Sequence, residues 1–82
     1  MDFGETLTKM RLKAGKSRYQ IWKFCGLDQA YLGRLEKGDK HPSRETVILL
    51  ALSLTHNSDK ITYEDVEDLL YTAGYASLRR HR

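Results

Sequence analysis

The chain of 82 residues has one cysteine, no long apolar run and no catalytic motif, and each shortage excludes something. With Cys25 alone, no disulfide can close within the chain and no cysteine pair can form a zinc or redox motif. A buried, inert thiol in a reducing, cytoplasmic setting is the expectation. No apolar stretch is long enough to span a bilayer, and Met1 leads directly into an acidic, polar segment, so neither a membrane partner nor a signal peptide is expected. His41, His56 and His81 are scattered, with no spacing suited to a metal. There is no nucleophile with its base, no phosphate-cradling glycine loop and no cofactor box. The chain therefore reads as no enzyme, with no cofactor, metal or small-molecule ligand. Glu64, Asp65, Glu67 and Asp68 fit a solvated helix face better than a pair of catalytic carboxylates.

Charge is unevenly spread. Residues 1–44 hold ten Lys/Arg against five Asp/Glu, whereas residues 45–82 hold four against six, within a net charge of +3. The four include a terminal cluster at Arg79, Arg80 and Arg82. A basic first half beside an acidic later segment points to one face built for a polyanion.

Helix boundaries are legible from local chemistry. Asp2-x-x-Glu5 and Ser17-x-x-Gln20 have the capping-box form, in which a cap side chain and the residue three later satisfy each other's backbone donors. Asp28 and Ser43 are placed to cap a third and a fourth helix, and Thr62-x-x-Asp65 is a weaker box for a fifth. Gly15, Gly26, Gly38 and Gly74 each follow an apolar-periodic run, where a left-handed residue ends a helix. Phe3, Leu7, Met10 and Ala14 share one face of the first helix; Ile21, Phe24 and Cys25 share one of the second; Leu32 and Leu35 serve the third. "RETVILLALSL" is apolar almost all round and is expected to be the central buried element. Val66, Leu69, Leu70 and Ala73 stripe the fifth. No segment alternates long enough for a strand. The prediction is an all-α, five-helix domain over residues 1–76, with helices near 2–14, 18–25, 29–37, 44–54 and 62–73. Residues 77–82 read as a disordered basic tail. Repeats and low-complexity linkers are absent.

The third helix poses a question. "GLDQAYLGRLEKG" places Gly33 inside a helix, where it costs about 1 kcal/mol relative to alanine. Around Gly26, two short helices are joined by about three residues, which is the arrangement of a helix-turn-helix. "SRYQIWKFCGLDQAYLGRLEKGDKHPS" resembles the central motif of the lambda-repressor-like (Cro/Xre-type) helix-turn-helix family. The match includes Ile21, the turn glycine Gly26, Leu27, Leu32, the "RLEKG" ending at Gly38, and the "PS" that opens the next helix. It spans residues 3–55.

The resemblance implies double-stranded DNA as partner, with the third helix in the major groove. Gln29 matches a position that reads an adenine edge, and a bidentate glutamine–adenine pair is chemically sound in its own right. Ala30 would touch a thymine methyl, and Arg34, a turn further on, a guanine or a phosphate. Gly33 belongs to this base-contact set, because with Ala30 it keeps one face slim enough for close approach. Arg18 matches a position usually held by a phosphate-gripping glutamine; arginine keeps that contact but cannot brace Gln29 as a glutamine would. Ser17, Tyr31, Lys37, Lys40, His41 and Arg44 complete the phosphate set. Arg11 and Glu36 match a partly buried ion pair linking the first and third helices.

Trp22 departs from the pattern, at a position normally alanine because the second and third helices cross closely there. An ordinary core aromatic is the expectation, with an exposed anchor for a protein partner as the alternative, and Gly33 could instead make room for its ring. Tyr63, Tyr71 and Tyr75 either seal the core or form a dimer contact. The functional expectation is a sequence-specific transcriptional regulator, bacterial or phage, binding a palindromic operator as a homodimer. The rival is an adaptor or antitoxin-like interaction module on the same fold without DNA binding.

Overall fold

The computed structural model describes residues 2–76, so the expectation for the basic tail, with Arg79, Arg80 and Arg82, lies outside the described residues. Five helices follow one another: α1 (Phe3–Ala14), α2 (Arg18–Cys25), α3 (Gln29–Lys37), α4 (Arg44–Thr55) and α5 (Tyr63–Thr72). No strand occurs among the described residues, and no helix there is long and apolar enough to cross a membrane.

Local chemistry sets the helix starts. Asp2–Glu5, Ser17–Gln20 and Thr62–Asp65 form reciprocal capping boxes, and Asp28 and Ser43 each accept from a backbone N–H of the first turn. Each cap satisfies donors that a helix end otherwise leaves open. Gly26 ends α2 in the left-handed conformation, φ 80°, and sends the chain into α3 within three residues. A side chain there would be strained, so the turn depends on glycine.

The core collects Leu7 and Met10 of α1, Ile21 of α2, Leu32 and Leu35 of α3, Val47, Leu50 and Leu54 of α4, and Leu69 and Leu70 of α5. α1 packs on α3, α4 and α5; α2 packs on α3 and α4; α5 closes the side formed by α1 and α4. Polar ties reinforce this layout. Lys13 pairs with Asp65 at 2.7 Å between α1 and α5. The Lys16 ammonium donates to the carbonyls of Ser53 and His56, at the end of α4, where partial negative charge accumulates. Burial lowers the Lys16 pKa.

α1 and α3 approach closely at Gly4. A Cβ there would stand 2.8 Å from the Leu35 carbonyl oxygen and closer still to that of Glu36. Only glycine lets the start of α1 lie directly on the last turn of α3.

Four expectations are corrected. Trp22 is 41% exposed rather than in the core, its ring tilted against Tyr19 at 5.6 Å between centroids. Phe24 is 46% exposed and rests on the His56 ring rather than facing inward. The cause is the same for both: α2 has eight residues and only a narrow inner stripe, filled by Ile21 with Cys25 beside it. Cys25 itself is half-buried, its thiol donating to the Ile21 carbonyl at 3.2 Å. Finally, α4 is not covered all round. Val47, Leu50, Ala51 and Leu54 turn inward while Leu49 and Leu52 face out, because α1, α2 and α5 pack on its other sides.

The tyrosines divide. Tyr75 is half-buried and donates a 2.6 Å hydrogen bond to the Pro42 carbonyl, whereas Tyr63 and Tyr71 are exposed.

Candidate nucleic-acid interface

α3 is a two-faced helix. Leu32 and Leu35 are buried on one side, and Tyr31 is half-buried against the same core. Gln29, Ala30, Arg34 and Lys37 are exposed on the other, with Gly33 at the margin. Asp28 caps the helix by accepting from the Tyr31 N–H at 3.2 Å. The first turn of α3, with Gln29 and Ala30, is thereby held rigid at an exposed end, the geometry in which side chains enter a groove.

The segment after α3 continues the charged face. Lys40, His41 and Arg44 are exposed around the buried Pro42. The His41 ring lies 5.8 Å from that of Tyr75, so the loop is held from the side of α5. Asp28 and Asp39 are the exposed acids of the same stretch; Asp28 is occupied as a cap. The Ser17 hydroxyl accepts from the Gln20 N–H at the start of α2. Its hydrogen stays available to an anion.

Between α1, α2 and α3 lies a charge cluster centred on Glu36. Arg11 Nε donates to Glu36 Oε2 at 2.6 Å, and Arg11 also reaches the Lys16 carbonyl at 3.1 Å. Arg18 donates to Glu36 Oε1 through Nε at 3.2 Å and Nη2 at 2.7 Å. Glu36 is 5% exposed and Arg11 15%, whereas Arg18 is 43% exposed. Burial alone would raise the Glu36 pKa, but the hydrogen bonds and charges of Arg11 and Arg18 outweigh it and hold the carboxyl below its ordinary value.

The Arg18–Glu36 pair is the part sequence reasoning missed. The resemblance assigns Arg18 a phosphate contact and names no carboxylate partner for it. No local signal gives this pairing, because residues 18 and 36 meet only through the crossing of α2 and α3. The structure also answers which way Gly33 faces. A Cβ there would lie 3.9 Å from the Arg18 guanidinium and near no part of Trp22. The missing side chain leaves a shallow gap, and Arg18 lies beside it.

No group of His, Cys, Asp or Glu among the described residues is arranged to hold a metal ion. An apolar recess lies elsewhere, between α4 and α5, lined by Ile48, Leu52, Tyr63 and Val66.

Comparison with known proteins agrees with this geometry. No curated protein and no solved structure matches the chain significantly. A family model described as a helix-turn-helix domain matches residues 2–52, which takes in α1, α2, α3 and most of α4. With a capped, basic, outward-facing α3 set by a three-residue turn against α2, the chain belongs to the helix-turn-helix domain family, of the Cro/Xre-like kind.

Proposed function

We propose that this domain binds double-stranded DNA with sequence preference and acts as a transcriptional regulator, α3 lying in the major groove. The observation that carries the reading is the exposed row Gln29, Ala30, Arg34 and Lys37 on a helix whose other face is locked into the core. Gln29 and Arg34 are the base readers, with Ala30 and Gly33 permitting close approach. Ser17, Lys37, Lys40, His41 and Arg44 meet phosphates from either end of α3, Tyr31 offers its hydroxyl, and Arg18 adds a cation from α2. Residues 2–76 act as one unit, because α5 is tied to α1 through Lys13–Asp65 and to the loop before α4 through Tyr75–Pro42. Two copies on a palindromic operator would place half-sites ~10 bp apart.

The exposure of Trp22 and Tyr19 favours a second reading, a protein-interaction module on the same fold. One experiment separates the two. A random duplex library is selected on the protein, and the enriched duplex is titrated into labelled protein with amide shifts followed by NMR. DNA binding predicts enrichment, salt-dependent affinity and shifts confined to residues 17–18 and 28–44. No enrichment and no salt dependence would reject it in favour of the interaction module.

A further inference from the structure

A buried carboxylate needs one cationic partner, and Glu36 already has one in Arg11. That pair is 2.6 Å long, largely sealed from water, and anchored again at the Lys16 carbonyl. Arg18 is a surplus cation in the cluster, and it is half in solvent. Both Arg18 bonds to Glu36 use the Nε/Nη2 edge of its guanidinium. Nη1 takes no part in the pair, and it lies 3.9 Å from where a Gly33 side chain would begin. A planar guanidinium held along one edge presents the opposite edge in a fixed direction. A residue larger than alanine at 33 would compete for that space.

We infer that Glu36 is a positioning residue for recognition: it orients Arg18 across the gap at Gly33, so that a residue of α2 presents its free guanidinium edge beside the reading face of α3. The inference rests on the DNA-binding reading proposed above. It assigns Arg18 a fixed contact with the selected duplex instead of a mobile grip on any phosphate, and it gives Gly33 a reason independent of Trp22. An arginine ordered before binding loses less side-chain freedom on contact. Released from Glu36, the same arginine would meet any phosphate within reach and raise affinity for unrelated sequence.

The test has one arm without DNA and one with it. In the free protein, the Arg18 Nε–H resonance should exchange slowly with water, and should do so in Gly33→Ala, whose methyl group fits. It should exchange fast in Glu36→Gln and in Gly33→Leu, the latter leaving Arg11 and Glu36 untouched. Fast exchange in the wild-type chain would overturn the inference. In the second arm, affinities for the selected duplex and for mixed-sequence duplex are compared in wild type, Glu36→Gln, Arg18→Gln and the double variant, each checked for folding by melting. Glu36→Gln should lower the ratio of the two affinities about five- to tenfold, the size of one lost oriented contact. It should have no further effect in the Arg18→Gln background. An equal drop in both backgrounds would mean that Glu36 acts through the fold, and would overturn the inference. If Glu36→Gln fails to fold, the Gly33→Leu exchange measurement decides. A wild-type chain that binds no duplex would reject the DNA-binding reading, while the exchange data would still report whether Glu36 anchors Arg18.

Discussion

The Tyr75 hydroxyl and the Pro42 carbonyl are joined by a 2.6 Å hydrogen bond between residues 33 positions apart. Tyr75 follows α5, and Pro42 sits in the loop between α3 and α4, so the bond makes the last helix a support for the segment that carries Lys40, His41 and Arg44. Removing the hydroxyl leaves the carbonyl of the buried Pro42 short of a donor. Tyr75→Phe is expected to cost about 1 kcal/mol in urea denaturation.

Two glycines should respond to alanine in opposite ways. At Gly4 the added methyl meets backbone carbonyls of α3, which cannot step aside without moving the helix. Gly4→Ala should destabilise by about 1–3 kcal/mol. At Gly33 the methyl meets only ordinary contact with Arg18. Gly33→Ala should stabilise by about 0.5–1 kcal/mol, because alanine loses less freedom on entering a helix. Thermal melts of the two variants check both signs.

Stability should depend on pH through Glu36. Its folded-state pKa lies below the ordinary 4.5, so the unfolded chain takes up the proton first on acidification. The contribution is fully present above about the ordinary carboxylate value and is lost as pH falls through the lower folded value. Asp65, also lowered against the opposing effect of burial by Lys13 and by Thr62, acts in the same direction. Denaturation midpoints should fall as pH drops through that window, and the slope should shrink in Asp65→Asn.

Base and phosphate contacts should separate in a mutational series. Gln29→Ala and Arg34→Ala should each reduce preference for the selected duplex by roughly 1–3 kcal/mol. Lys40→Ala and Arg44→Ala should weaken all duplexes alike and lower the slope of log affinity against log salt by about one each. Filter-binding isotherms at several salt concentrations measure both quantities.

What could be read from the sequence was the chemistry that acts within four residues. Asp2, Ser17, Asp28, Ser43 and Thr62 announce helix starts because a cap bonds its own first turn. The inward faces of α1, α3 and α5 were legible for the same reason, their apolar residues recurring at helical spacing. α2 and α4 were harder. In a helix of eight residues the width of the buried stripe depends on what packs against it, so nothing local says that Trp22 and Phe24 turn outward. In α4 the apolar residues run all round, and only the positions of α1, α2 and α5 decide that Leu49 and Leu52 stay in water. Gly4 carries no local signal at all, since its necessity comes from a carbonyl more than thirty residues away. The Arg11–Glu36 bridge was approached through resemblance, and Arg18's place in it depends on how α2 crosses α3.

Trp22 is the chain's single tryptophan, and it stands on the outside of α2 one turn from Arg18. Its emission is a built-in optical report on that helix alone. Because the indole is already partly hydrated in the folded state, unfolding should redden its spectrum only modestly. A large molecule settling beside the start of α2 should change its access to a soluble quencher far more. Melting and docking, which share one signal in most small domains, would here be told apart by colour and by quenching, with no label attached.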